Sequence, residues 1–383
     1  MDISFTDEQL MLRDALARYL ADNYDFDARR ARLTANIQDN ELWHDFAATL
    51  GILGASLPDE MGGLGGGAVE TMIIQEALGA ALVVEPYLET VVVGGGLLRQ
   101  TDTDTGAARQ LLGGIVDGSV RLAFAAGERD VRHAYAHVAA TAVRADTGWT
   151  LDGAKAVVIG APGATHWIVL ARTSGAQGDR HGLSLFLLDP LSAGIERHDY
   201  RLVDERPASD LVFHSVALPE DALLLPEGTA LPVVEAVIDE ATAALCAEAV
   251  GILRRMLADT VEYTRQRKQF GQPLSGFQVL QHRMVDMYMH VEQAAAVTLL
   301  ATLRLSDDVV ARSLAVSAAK ATVARCCRFV GQNAVQLHGA IGLMDELAVS
   351  HYFKRATAIE NQFGSADYHK ARYAELARAR RAA

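Results

Sequence analysis

GWTLDGAKAVVIGAPGATHWIVLART, residues 148–173, contains two β-rich runs joined by a short stretch of Gly, Ala and Pro. Trp, Val, Ile and Thr suit a pleated, half-buried surface, and the Gly/Pro joint is too short to carry a crossover helix. Runs of the same kind flank it: VRLAFAA (120–126), HVAATAVRA (137–145), LSLFLLD (183–189) and SDLVFHSVAL (209–218). Gly, Pro and Asp separate them at the spacing of an antiparallel barrel or sandwich. With no helical run among them, the pattern argues against a doubly wound sheet.

On both sides of this segment the hydrophobic period changes to that of a helix. Towards the N-terminus, Thr6 stands as an N-cap with Gln9 placed to complete a capping box, and Leu10, Leu12, Ala15, Leu16 and Tyr19 follow at helical spacing. ELWHDFAATLGILG (41–54) and ETMIIQEALGAAL (70–82) repeat that pattern. Between them, PDEMGGLGGG (58–67) follows a helix and lacks a P-loop lysine, so it reads as a flexible interhelical turn rather than a nucleotide loop. Towards the C-terminus, long Ala- and Leu-rich stretches such as VVARSLAVSAAKATVARCCRFVGQNAVQLHG (309–339) predict a bundle of long antiparallel helices. The predicted fold class is therefore α+β and mostly α. An N-terminal helical domain (1–118) precedes a middle antiparallel β-barrel or sandwich domain (119–225) and a C-terminal four-helix bundle (226–383).

Composition narrows the function classes. The 383 residues are 50% hydrophobic and 22% charged, which excludes a disordered chain. The net charge of −13 leaves no positive field for nucleic acid, so an anionic substrate would need a local basic cluster. The acidic start MDISFTDEQL does not read as a secretory signal, and no apolar stretch reaches spanning length, so no membrane partner is expected. Cys246, Cys326 and Cys327 lie in Ala-rich helical sequence without metal-ligand spacing, which predicts core thiols in a reducing cytoplasm and no metal site.

Two polar clusters could carry chemistry. Arg265-Gln266-Arg267-Lys268-Gln269-Phe270-Gly271-Gln272 closes a long helix. Cations there favour the helix dipole by themselves, while Arg267 also has a fork suited to phosphate and Phe270 a ring suited to stacking. Gln278, at the start of the next helix, can add an amide. The second cluster, Gln336-Leu337-His338-Gly339-Ala340-Ile341-Gly342, offers small residues that let a backbone approach a ligand.

Taken together these pieces resemble the acyl-CoA dehydrogenase family. Its R-x-x-F-G-Q/K segment and following F/H-Q match Arg267 to Gln278. Its Q-x-x-G-G-x-G matches Gln336 to Gly342, with Ala340 replacing one Gly. Its P-E-x-x-G-G-x-G-G pattern is similar to Pro58 through Gly66. The likeness covers essentially the whole chain, and the ending HYFKRATAIENQFGSADYH is most similar to the small-subunit branch typified by pimeloyl-CoA dehydrogenase small subunits. The resemblance implies oxidation of an acyl-CoA thioester to its trans-2-enoyl-CoA. A carboxylate removes the α proton and the β hydrogen passes as hydride to FAD. It further implies that Arg267, Phe270 and Gln278 contact FAD, and that Gln336, Gly339 and Ala340 reach the ADP portion of a flavin bound mainly by a neighbouring subunit. The expected partners are an electron-transfer flavoprotein as electron acceptor and either further copies of the chain or a homologous subunit in a heterotetramer.

The departures from the family pattern are as informative. Gly364 stands where many members keep the catalytic Glu, and Asp367, three residues on, reads as the N-cap of the final helix. Another branch places the base early in the long helix, at the position of Ala241, and the adjacent Glu240 is turned from it by about 100 degrees. Glu240 is the candidate base. Gly127-Glu128-Arg129-Asp130-Val131-Arg132 replaces the usual T-E-P-x-x-G-S-D, and Val157-Val158-Ile159 replaces the usual W-I-T/S beside the flavin ring. Either the flavin is held by backbone amides or this β-domain does not hold one. The readings are a self-sufficient homo-oligomer using Glu240, one half of a heteromeric enzyme whose partner supplies base and FAD pocket, or a non-catalytic scaffold that kept the fold.

Overall fold

A computed structural model describes residues 4–34, 41–101, 106–129, 131 and 133–382. Asp130 and Arg132 of the 127–132 stretch lie outside the described residues. The helices before the sheet are α1 (Asp7–Asn23), α2 (Phe26–Thr34), α3 (Glu41–Ala48), α4 (Ala68–Ala80), α5 (Gly95–Leu98), which continues a π-helical turn at Leu88–Gly94, and α6 (Gly106–Val116). Seven strands follow: β1 (Leu122–Ala125), β2 (Thr141–Ala145), β3 (Gly148–Ile159), β4 (His166–Arg172), β5 (Leu183–Leu188), β6 (Ile195–Arg201) and β7 (Pro207–Leu218). The C-terminal part contains α7 (Ala230–Gln266), the short strands β8 (Lys268–Gln269) and β9 (Gln272–Pro273), α8 (Gln278–Leu303), α9 (Val309–His338), α10 (Ala348–Asn361) and α11 (Ala366–Ala382). The chain is thus mostly helical, with a β-domain between two helical regions. At its start, Thr6 caps α1, and the Thr6–Gln9 capping box is complete.

The chain forms two compact units that are discontinuous in sequence. One comprises the described residues of Gln38–Gly67 and Val84–Ala241, the other those of Met1–Ile37, Ala68–Val83 and Thr242–Ala383.

In the first unit the strand order is β1-β4-β2-β3-β7-β6, with β5 also paired to β4. The sheet is mixed: β1 and β2 meet β4 in parallel, whereas the β2–β3, β3–β7, β4–β5 and β6–β7 pairs are antiparallel. Run spacing alone predicted only the antiparallel part, because which strands pair is decided by contacts distant in sequence. Trp149, Leu151, Trp167, Phe186, Leu211 and Phe213 fill its core. Each such side chain contributes about 1.5–3 kcal/mol by leaving water. The glycine-rich stretch lies between helical elements, as expected of an interhelical turn. It is folded back on residues 54–57 by bonds from the amides of Leu64, Gly65 and Gly66 to the carbonyls of Gly54, Leu57 and Ala55, and Gly63 lies so close to the Leu57 carbonyl that a Cβ would collide with it.

The same unit buries an ion pair. Lys155 Nζ on β3 lies 2.7 Å from Glu128 Oε1, and the Glu128 carboxylate also accepts from the amides of Ala139 and Ala140. Burial pushes the Glu128 carboxyl up, but the Lys155 ammonium and the two amides together hold it below its ordinary value. Burial lowers the Lys155 ammonium to about 8 despite the attraction of Glu128.

In the second unit α9 is central and packs against α8, α10 and α11, while α1 lies on α4 and α4 on α8. Helices α4 and α7 approach so closely that a Cβ on Gly79 would strike the Glu248 carbonyl, and one on Gly251 the Glu76 carbonyl. The three cysteines are free and buried, as expected of core thiols. No helix among the described residues is long and apolar enough to cross a membrane.

Removing one partner of the Lys155–Glu128 pair leaves the other charge buried alone. Glu128→Ala should therefore cost about 3 kcal/mol. Tryptophan fluorescence during urea unfolding reads this directly, because Trp43, Trp149 and Trp167 all lie in the first unit. A carboxyl held below its ordinary value stabilises the fold fully above 4.5 and loses that contribution as pH falls through the lower folded-state value. The gap between parent and variant should accordingly shrink on acidification below pH 4.5.

Candidate functional site

One end of the helical unit gathers both polar clusters. The C-terminal turn of α7 and the C-terminus of α9 meet there: the Tyr263 and His338 rings stack with centroids 4.4 Å apart, and the Tyr263 hydroxyl donates to the His338 carbonyl at 3.3 Å. Arg267 follows Tyr263 by one turn, its amide bonded to the Tyr263 carbonyl, and the Leu274 amide returns to the Arg267 carbonyl to close the β8–β9 hairpin. Phe270 sits at the tip of that hairpin with φ +54°. Its ring is 91% exposed and edge-on to Phe277, with centroids 6.2 Å apart. Phe277 leads into α8, where Gln278 is the first residue. On the α9 side Gln336, Gly339 and Ala340 are all exposed. Gly339 has φ +68° and open space where a Cβ would stand.

The sequence-predicted cofactor residues Arg267, Phe270, Gln278, Gln336, Gly339 and Ala340 are thus brought to one end of the helical unit. Among the described residues no carboxylate pairs with Arg267. This donor set, a guanidinium, two primary amides, an aromatic face and an uncrowded glycine, fits the anionic and planar parts of an adenine dinucleotide.

The strand expected beside the flavin ring is built differently. The register between β3 and β7 shifts between Lys155 and Val158, and the resulting bulge leaves Val157 at φ +55° and half exposed. Its amide donates to Asp210 Oδ1 at 3.0 Å, and Asp210 also accepts from the Tyr200 hydroxyl and from Arg129. The side chains at 157–159 offer no donor to a ring, and the Val157 amide is already engaged. The helical end therefore suits an adenosine diphosphate portion, whereas strand β3, taken by itself, offers a flavin ring no side-chain donor.

The two candidate positions for a base differ in kind. Glu240, on α7, lies 3.0 Å from Arg99 Nη2, both side chains being about a quarter to a third exposed. Arg99 Nη1 also donates to the Ser56 carbonyl. Ala241 is fully buried. At the other position Gly364 adopts φ +123°, and a Cβ there would stand 2.5 Å from the Tyr368 ring and 2.7 Å from His369 Nε2. Its carbonyl accepts from Lys320 Nζ at 2.7 Å, and the same ammonium reaches the Glu360 carbonyl at 3.3 Å. Lys320 is completely buried, and burial lowers its ammonium below the ordinary lysine value.

Asp367 does not cap the final helix. The Ser365 hydroxyl accepts the Tyr368 amide instead, and Asp367 is exposed and paired with Lys370. A hydroxyl one residue ahead of the helix reaches that amide directly, whereas Asp367 already lies inside the first turn. Sequence reasoning also missed Lys320 and Arg99. A signal existed for Lys320, a lone cation in the apolar run AVSAAKATVA with buried neighbours at 316, 317, 323 and 324. None existed for Arg99, whose partner is 141 positions away.

Comparison with known proteins matches the chain to the acyl-CoA dehydrogenase N-terminal domain over residues 6–101, the middle domain over 123–216 and the C-terminal domain over 231–377. It is 30% identical over 360 residues to the acyl-CoA dehydrogenase FadE12 of Mycobacterium tuberculosis, covering 91% of each chain. The butyryl-CoA dehydrogenase structure from Megasphaera elsdenii superposes with a TM-score of 0.90 at 26% identity, covering 98% of this chain and 99% of that one. A chain of the ChsE4–ChsE5 complex from Mycobacterium tuberculosis superposes with a TM-score of 0.86 at 25% identity, covering 98% of each.

The Gly364 turn yields a direct expectation. Gly364→Glu should cost about 2 kcal/mol or more for the positive φ alone, with a further penalty for displacing Tyr368 and His369. Differential scanning calorimetry should record the fall in melting temperature, and acyl-CoA-dependent dye reduction should not rise.

Proposed function

The chain belongs to the acyl-CoA dehydrogenase family, and on that premise we propose that it works as one subunit of a heteromeric, flavin-dependent acyl-CoA dehydrogenase whose homologous partner supplies the catalytic carboxylate. The family reaction is α,β-dehydrogenation of an acyl-CoA thioester to the trans-2-enoyl-CoA. The observation that carries the reading is the turn at Gly364. Where relatives keep their base, this backbone runs at φ +123° with its carbonyl on a buried lysine, so no carboxylate can stand there. The likeness to a chain of the ChsE4–ChsE5 complex supports a two-polypeptide assembly.

The roles of this chain's residues follow from the donor set. Arg267 binds the pyrophosphate as a fork, Gln278 and Gln336 supply amides, and Phe270 covers a planar ring. Gly339 and Ala340 let the backbone close on the adenosine end. FAD would supply the hydride acceptor when bound, and an electron-transfer flavoprotein is the proposed electron acceptor. On this reading Glu240 anchors Arg99 instead of abstracting a proton. The acyl-CoA is the substrate, and the free, buried thiols support a cytoplasmic location. We propose in addition that the chain divides into domains at 1–118, 119–225 and 226–383.

A second reading has one observation in its favour. The Glu240 side chain remains a third exposed, so a homo-oligomer could use it as the base. Purification of the chain alone and with a co-expressed homologous subunit separates the two. We expect bound flavin and dye reduction only in the complex, with activity unchanged in Glu240→Gln. Flavin and turnover in the chain alone, reduced by about 10²-fold or more in Glu240→Gln, would establish the self-sufficient enzyme. Flavin in neither preparation would leave a non-catalytic scaffold.

A further inference from the structure

The segment after α9, Gly339–Leu343, forms a short 3-10 helix whose Gly342 is buried against Val335 and His338 of α9, while Gly339, Ala340, Ile341 and Leu343 are exposed. It is followed by Met344 and Asp345, and the next ordered element, α10, begins at Ala348. Within α10, His351 is buried, and its Nε2 lies 2.9 Å from the Asp345 carbonyl. On the other side of the ring, Nδ1 lies 3.1 Å from Arg29 Nη1 on α2. A guanidinium only donates, so Nδ1 must accept. The ring proton is therefore on Nε2, where it donates to the Asp345 carbonyl.

Further contacts fix this ring. Phe26 meets it edge-on with centroids 5.0 Å apart, and Arg29, itself buried, also donates from Nε to the Leu82 carbonyl at 3.0 Å. Lys354, one turn along α10, holds the Asp345 carboxylate at 2.9 Å. The Met344 amide bonds to the Ile341 carbonyl, so a displacement of Asp345 is passed back into the segment that begins at Gly339.

We propose that His351 is a positioning residue for the cofactor segment. As the Nε2–H tautomer fixed by Arg29, it holds the Asp345 carbonyl and thereby presents Gly339 and Ala340 to the adenosine diphosphate end of the flavin. The inference rests on the assignment of Gln336, Gly339 and Ala340 to the cofactor.

Two substitutions divide the ring's two contacts. Asn ends near the Nδ1 position, keeping an acceptor for Arg29 and losing the donor to Asp345. Gln ends near Nε2, keeping that donor and losing the acceptor for Arg29. Both should lower the melting temperature, since each breaks one buried bond. In the flavin-loaded assembly, His351→Asn should raise the FAD dissociation constant about five- to tenfold, read from flavin fluorescence on dilution, while His351→Gln should change it less than twofold. In the flavin-stripped protein, hydrogen exchange at residues 339–347 should accelerate in His351→Asn and not in His351→Gln. Equal FAD affinity in the two variants, or equal exchange, overturns the proposal. Gln336→Ala serves as the control. If it loses flavin while His351→Asn does not, the positioning role fails and the site stands. If Gln336→Ala keeps full affinity, both fail.

Discussion

Arg355 and Glu248 form a bidentate ion pair inside the helical unit, at 2.7 and 2.8 Å, with both side chains almost wholly buried. Two charges so placed must stay together, because separating them would leave an uncompensated ion in a low-dielectric interior. Glu248 lies on α7 at the close crossing with α4, and Arg355 lies on α10, so the pair ties these helices into one arrangement. Arg355 also reaches the Gln362 side chain at 3.1 Å, where α10 ends. The turn at residues 361–364 therefore starts from a fixed point on one side and is held by Lys320 on the other. The backbone at Gly364 is a consequence of both.

Two kinds of residue were legible in the sequence. Periodic ones declared the helices and strands, and capping chemistry placed the start of α1 at Thr6. The motif residues Arg267, Phe270, Gln278 and Gln336 were legible as a set, and the stacking of Tyr263 on His338 explains why segments so far apart in sequence meet. Hidden features were those decided by contacts between distant positions. The parallel pairing of β1 with β4 leaves no local mark, since each strand reads the same whichever neighbour it takes. The order in the 58–67 glycines comes from amides folding back on residues 54–57, which no glycine count reveals. The Arg99–Glu240 pair and the Lys320 anchor likewise join residues that sequence spacing never compares.

Electrostatics divides along the same line. The chain carries a net charge of −13, yet the end of α7 that meets the C-terminus of α9 adds Arg265, Arg267 and Lys268 within four positions. That local concentration is what an anionic dinucleotide or thioester would meet, while the acidic remainder repels nucleic acid. The β-unit carries exposed ion pairs such as Arg144–Glu220 and also buries one, Lys155–Glu128, and it turns Val157 outward on a bulge.

The interleaving of the two compact units bears on how the chain is made. Helices α1 and α4 belong with residues 242–383, whereas everything from 84 to 241 belongs to the other unit. During synthesis the whole β-unit emerges while Leu16, Leu20, Ile73, Ile74 and Leu78, all buried in the finished protein, still await α7 to α11. Vectorial domain-by-domain folding is thus closed to the helical unit. Its α4–α8 packing joins segments on either side of the β-unit, so its apolar helix faces stay open to chaperones or to aggregation until the last third of the chain has left the ribosome.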